Sequence, residues 1–182
     1  MMDAMSTFIA FLRAVNVGKR KYPMAELRQA LTDAGFEEVE THIQTGNVLF
    51  RTSLRSRAKV VAALEKAMLA DRGFEVPVVL MTPQELSELY DEACDFAGGK
   101  KLQGHYLSLL ADPPSTAGKA ALEERSGDGE EVRVGRRAVH LMLSTRPYNE
   151  ATTGNAEVER HLGVATTRNL TVITKLAEKW GS

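Results

Sequence analysis

Apolar residues recur along this chain with two periods, and the switches between them mark out its elements. Thr7 to Ala14 (TFIAFLRA) is a short run rich in β-formers. Phe8, Ala10 and Leu12 fall on one face, Ile9 and Phe11 on the other. A strand apolar on both faces belongs in the middle of a covered sheet. A polar, basic loop follows from Val15 to Lys21. Pro23 suits a first helical position, Met24, Leu27, Leu31 and Ala34 keep helical spacing, and Gly35 ends the helix. Val39 to Gln44 alternates with period two, Thr45-Gly46-Asn47 is a turn, and Val48 to Arg51 returns as a strand. Ser53 or Ser56 caps a second helix carrying Val60, Val61, Leu64 and Met68, which Gly73 closes. Val76 to Met81 is a last strand. The order is βαββαβ, the ferredoxin-like pattern.

The order then repeats. Thr82-Pro83-Gln84-Glu85 is a capping box that opens a helix through Leu86, Leu89, Tyr90 and Ala93. Gly98 to Lys101 forms a loop between the halves. Tyr106 to Ala111 reads as a strand, followed by an Asp112-Pro113-Pro114 turn and a short helix around Ala117 to Arg125. Glu131 to Val134 and Ala138 to Leu143 form a hairpin about Gly135-Arg136-Arg137. Asn155 reads as a helix cap, Gly163 as that helix's end, and Val164 to Thr167 as a short closing strand. The final helix places Leu170, Ile173, Leu176, Ala177 and Trp180 on one face. The expected fold class is α+β: two ferredoxin-like halves in tandem, residues 1–82 and 83–182, packed into one inseparable unit. A lone ferredoxin-like sheet has helices on one face only, so the doubly apolar strand requires a cover on the second face, from the other half or from a second copy.

Composition narrows the classes. The chain has 182 residues, 43% hydrophobic and 26% charged, as in an ordinary globular protein. Its one cysteine, Cys94, excludes a disulfide within the chain and a cysteine metal cluster. No apolar run approaches the roughly 20 residues of a membrane span. Met1 to Ser6 lacks a signal-peptide pattern, so the expected compartment is the cytoplasm. The sequence has no G-x-S-x-G elbow, Walker loop, G-x-G-x-x-G or H-E-x-x-H, and no cofactor is expected. Net charge is −1, yet residues 1–60, 61–132 and 133–182 carry +3, −8 and +4. Basic ends around an acidic middle allow a basic face on a near-neutral protein.

Four segments resemble one family: Phe11 to Gly18 (FLRAVNVG), Met24 to Leu27 (MAEL), Ile43 to Phe50 (IQTGNVLF) and Thr166 to Asn169 (TTRN). They are similar, in the same order, to the bacterial family of unknown function numbered 1697, whose members typically read LRGINVGG, IQSGNVVF and TTRNW. The resemblance implies the two-part ferredoxin-like fold and no activity. Here Ala14 stands at a usual glycine, Lys19 at the second glycine of a pair, Thr45 at a serine and Leu170 at the tryptophan.

Topology supplies the candidate site. In a ferredoxin-like half the first two strands are parallel and flank the third, so the loop after strand one and the hairpin between strands two and three open on one sheet edge. That gathers Arg13, Asn16, Lys19, Arg20 and Lys21 with Gln44, Gly46 and Asn47. Cations, amides and glycine N–H groups suit phosphate or a nucleic-acid backbone. In the plainer reading the asparagines fix turns and the lysines only solvate the loop. Thr166, Thr167, Arg168 and Asn169 are expected at the start of the last helix, as an anion site or as a cap with Arg168 paired to a carboxylate. The expected partner is a nucleic acid or phosphorylated small molecule, with no membrane. A small-molecule enzyme and an assembly role, including a homodimer, are the alternatives. His42, His105, His140 and His161 show no metal-ligand spacing. Cys94 reads as core, Glu123-Glu124 and Glu130-Glu131 as solvated, and Phe11 and Phe50 as buried.

Overall fold

The structure, a computed structural model, describes residues 4–181. The chain divides after Pro83 into two compact units. The first contains β1 (Ser6–Leu12), α1 (Met24–Asp33), β2 (Glu37–His42), β3 (Asn47–Thr52), α2 (Arg57–Arg72) and β4 (Val78–Met81). Its four strands lie in the order β2-β3-β1-β4, every neighbour antiparallel. This is the ferredoxin-like sheet.

Local chemistry sets the elements. Pro23 precedes α1 in extended geometry, where its missing N–H forfeits no helix bond. Ser56 caps α2 by accepting from the Lys59 N–H, and Gly73 ends that helix in the left-handed region. Leu27 and Leu31 of α1 and Val60, Leu64 and Met68 of α2 pack on Phe8, Ala10, Leu12, Val48 and Phe50. Each buried side chain of this size contributes about 2 kcal/mol of transfer free energy. Ile9 and Phe11, on the other face of β1, are fully buried too, as the doubly apolar pattern requires. β1 stops at Leu12, short of the expected Ala14, because Ala14 turns to a φ of 58°. β2 ends at His42 rather than Gln44 because Ile43 leaves the ladder at a φ of 51°.

The second unit contains most of α3 (Pro83–Ala97), then β5 (Gly104–Leu110), α4 (Thr116–Glu123), β6 (Glu130–Val134), β7 (Ala138–Leu143), α5 (Asn155–Leu162), β8 (Ala165–Asn169) and α6 (Leu170–Trp180). Its sheet has the order β6-β7-β5-β8, again antiparallel throughout. Leu122, Val158 and Leu162 from α4 and α5 cover Leu110, Val139, Leu141 and Leu143. Two expectations change. Gly154, not Asn155, caps α5; the Asn155 amide instead donates to the Ala165 carbonyl and to Glu159, tying α5 to β8. And β8 runs on to Asn169, so Thr166, Thr167 and Arg168 are strand residues rather than a helix start. Among the described residues no helix is long and apolar enough to cross a membrane.

Candidate functional site

The end of the first sheet where β1 stops and β3 begins gathers the eight sequence-predicted residues of that unit. The Leu12 N–H donates to the Gly46 carbonyl at 2.8 Å. Gly46 has a φ of 86°, and a Cβ there would come within 2.8 Å of Leu12 and 2.7 Å of Val15, so glycine lets the hairpin lie on the loop. Asn16, at a φ of 57°, is the joint. Its Nδ2 donates to the Tyr22 carbonyl at 3.0 Å and the Gln44 carbonyl at 2.6 Å, while its Oδ1 accepts the Tyr22 N–H at 2.8 Å. Loop and hairpin are thereby one body.

Several of these groups serve the loop itself. Arg20 donates through Nε to the Ala14 carbonyl at 2.8 Å and through Nη2 to the Glu75 carbonyl, and its guanidinium lies 4.5 Å over the Phe74 ring. Asn47 is fully buried, its Nδ2 donating to the His42 carbonyl at 2.9 Å and to Thr45 Oγ1 at 3.1 Å. Beneath, the Tyr22 hydroxyl donates to Asp71 at 2.9 Å; burial and that carboxylate push its pKa up. Arg13 is half-buried. Lys19, Lys21 and Gln44 are exposed, beside the exposed apolar Val17 and Ile43. The edge presents two ammonium groups and a carboxamide on a hydrogen-bonded frame.

The remaining four predicted residues, in the second unit, have structural partners. Thr167 Oγ1 bridges Ser108 Oγ at 3.0 Å and Asn155 Oδ1 at 2.9 Å. Arg168 donates through Nη1 to Thr166 Oγ1 at 2.9 Å and to the Thr167 carbonyl at 3.0 Å. Its burial lowers the guanidinium pKa to about 10. Asn169 caps α6 by accepting the Val172 N–H at 2.9 Å. The plainer capping reading therefore describes Asn169.

Sequence reasoning missed a buried polar chain in the same unit. Glu92 Oε1 on α3 lies 2.9 Å from His140 Nε2 on β7, and His140 Nδ1 lies 3.0 Å from His105 Nε2 on β5. His140 is fully buried and His105 only 6% exposed. Burial pushes Glu92 up, but the His140 hydrogen bond and the Arg136 N–H outweigh it and its pKa is lowered. Burial, then the neighbouring His140, lowers His105 to about 4. The expected solvated pair Glu130-Glu131 also divides. Glu130 is buried and accepts the Thr152 and Thr153 N–H groups at 3.0 and 2.9 Å. Burial raises its pKa, yet those bonds win and lower it. Cys94 is exposed rather than core. Among the described residues no cluster of three or more His, Cys, Asp or Glu is placed to hold a metal ion.

The family profile described as protein of unknown function (DUF1697) matches residues 5–140. The chain belongs to that family. No curated protein matches it. A conserved bacterial protein, SP0830 from Streptococcus pneumoniae, has a similar solved structure: TM-score 0.71 at 22% identity, covering 97% of this chain and 99% of that one. At that identity the likeness concerns the fold. For this DUF1697 member it places the tandem ferredoxin-like architecture in a second protein.

Proposed function

We propose that the protein binds a phosphate-bearing ligand, a nucleic-acid strand or a nucleotide, at the exposed edge formed by residues 17–21 and 43–46. The carrying observation is the Asn16 bridge from the loop to the Gln44 carbonyl, which holds Lys19 and Lys21 beside the hairpin. Ammonium groups on such a frame attract phosphate without the entropy of ordering a loose loop. Val17 and Ile43, 62% and 45% exposed, offer apolar surface for a base or sugar beside the charges. Arg20 and Asn47 support this edge from within.

The test is anisotropy of a labelled single-stranded oligonucleotide, with unlabelled mononucleotide as competitor, over a range of salt. Two phosphate contacts give a slope of log K against log salt of about −1.4. The Lys19→Ala/Lys21→Ala double variant is expected to remove most of that slope. Competition by mononucleotide at similar concentration assigns the smaller ligand. Absence of binding at low salt, or binding unchanged in the double variant, rejects the edge.

A further inference from the structure

Backbone strain collects at the basic edge. Among the described residues, the non-glycine positions with a positive φ are Ala14, Asn16, Glu38 and Ile43. All but Glu38 lie in the loop after β1 or in the hairpin between β2 and β3. Asparagine adopts this conformation readily, and Asn16 is held in it by its hydrogen bonds to Tyr22 and Gln44. Ile43 is the anomaly. Its φ of 51° puts a β-branched side chain in the left-handed region, where branching at Cβ crowds the backbone most. Burial does not compensate, because the residue stays 45% exposed. A turn that needed only the backbone would be served by glycine or asparagine, with neither the strain nor the exposed apolar group.

Strain of this kind is characteristic of places that hold a ligand. The neighbours of Ile43 fit that role. Asn16 donates to the Gln44 carbonyl at 2.6 Å, so Val17 and Ile43 each adjoin one end of the bond that joins loop to hairpin. Val17 is 62% exposed. The Gln44 side chain is exposed, with a donor and an acceptor to offer a base edge. Residues 17–19 and 43–45 are exposed throughout, an open surface rather than a cleft. A single small ligand is held in a concave site that buries most of it. A strand is held along an open surface, by its phosphates and by the faces of its unpaired bases.

We propose that this edge takes single-stranded nucleic acid, with unpaired bases laid on Ile43 and Val17, phosphates on Lys19 and Lys21, and a base edge on Gln44. This rests on the phosphate-binding reading of the edge and names the ligand within it. Aliphatic side chains cover the face of any base, so the preference among base sequences is weak.

The experiment compares two labelled strands of equal length by anisotropy at low salt: a short oligothymidylate, and a strand of abasic deoxyribose phosphate that carries the same charge. The parent protein is expected to bind oligothymidylate about tenfold more tightly, with a similar salt slope for both. Ile43→Asn puts a residue tolerant of the left-handed region at the strained position. It is expected to raise the melting temperature by about 2–4 °C and to bind oligothymidylate no more tightly than the parent binds the abasic strand. Thymidine monophosphate is expected to compete only at far higher concentration than unlabelled oligothymidylate. Binding of neither strand by the parent overturns the basic edge itself, and this assignment with it. Equal affinity for the two strands leaves the phosphate edge standing and overturns the role of the bases, as does oligothymidylate affinity unchanged in Ile43→Asn. A lower melting temperature in Ile43→Asn shows an isoleucine kept for packing and overturns the assignment. Competition by the monophosphate at equal concentration overturns the strand in favour of a nucleotide.

Discussion

The two halves share a sheet register and differ in where they place polar chemistry. Ser6 pairs with Thr52 in the first sheet as Gly104 pairs with Leu143 in the second, and each ladder runs in step from there. In that alignment Thr7 corresponds to His105, Leu49 to His140, and Val79, Leu80 and Met81 to Thr166, Thr167 and Arg168. The first half keeps the positions matching that polar set apolar at Leu49, Val79, Leu80 and Met81, and carries Lys19, Arg20 and Lys21 in the loop after β1. The second half shortens that loop to a turn around Asp112-Pro113-Pro114 and buries polar groups on the strands. One backbone plan thus carries two arrangements: an exposed basic loop on the first half, and a buried Glu92–His140–His105 chain with a buried Arg168 on the second.

The sharpest way to break that contrast is to unbalance the buried chain. Glu92→Ala leaves the His140 Nε2–H buried without an acceptor and is expected to cost about 3 kcal/mol in denaturant unfolding. Replacing all three members, Glu92→Leu with His105→Thr and His140→Leu, removes each donor together with its acceptor and is expected to cost clearly less than Glu92→Ala alone. Equal losses from the two variants would show that the chain is not a hydrogen-bonded unit.

Acidification probes the same region. The folded His105 titrates near 4, below the ordinary 6.5. Between these values the unfolded chain binds a proton that the folded chain refuses, so the stability contribution is complete above pH 6.5 and is lost as pH falls toward 4. The melting temperature is expected to drop through that window in the parent and to drop less in His105→Thr. Parallel curves would place the acid sensitivity elsewhere.

The smallest effect lies in the first half. Ala14 holds a φ of 58°, a conformation that costs a residue with a Cβ roughly 1 kcal/mol or more. Ala14→Gly is expected to stabilise the protein by about 1 kcal/mol, offset in part by the greater entropy of glycine in the unfolded chain. A loss of stability would show that the Ala14 methyl makes packing contacts that outweigh the strain. The usual glycine of the family at this place now has a backbone reason.

How far each of these features was legible depends on whether it is local. The Ser56 cap, the Gly73 stop and the Val60, Leu64, Met68 stripe are written within one helical turn or its repeat, and so was the βαββαβ order. The meeting of Asn16 with Gln44 followed from topology alone, because strand order dictates which loops share an end. The His105–His140 pair did not. Its members lie 35 positions apart and come together only when the β5–β7 register places Leu107 opposite His140, so that His105 falls on the same face. Period-two alternation in both strands was the available signal, but without a register it names a face and no partner. Thr166 to Arg168 misled for a related reason: threonines before a helix resemble a cap, while their β-branched shape equally suits the edge strand they form. Glu130 looked solvated beside Glu131 because its acceptors' partners, Thr152 and Thr153, come from a distant loop.

The basic edge of the first half, and not the corresponding turn of the second, is proposed to meet a phosphate-bearing ligand. Backbone amide NMR of the full chain, titrated with a short single-stranded oligonucleotide at low salt, tests it residue by residue. The expected result is shifts concentrated at Val17 to Lys21 and Ile43 to Gly46, with Asp112 to Ser115 unmoved. Shifts at Asp112 to Ser115 instead, or none at Val17 to Lys21, would contradict it.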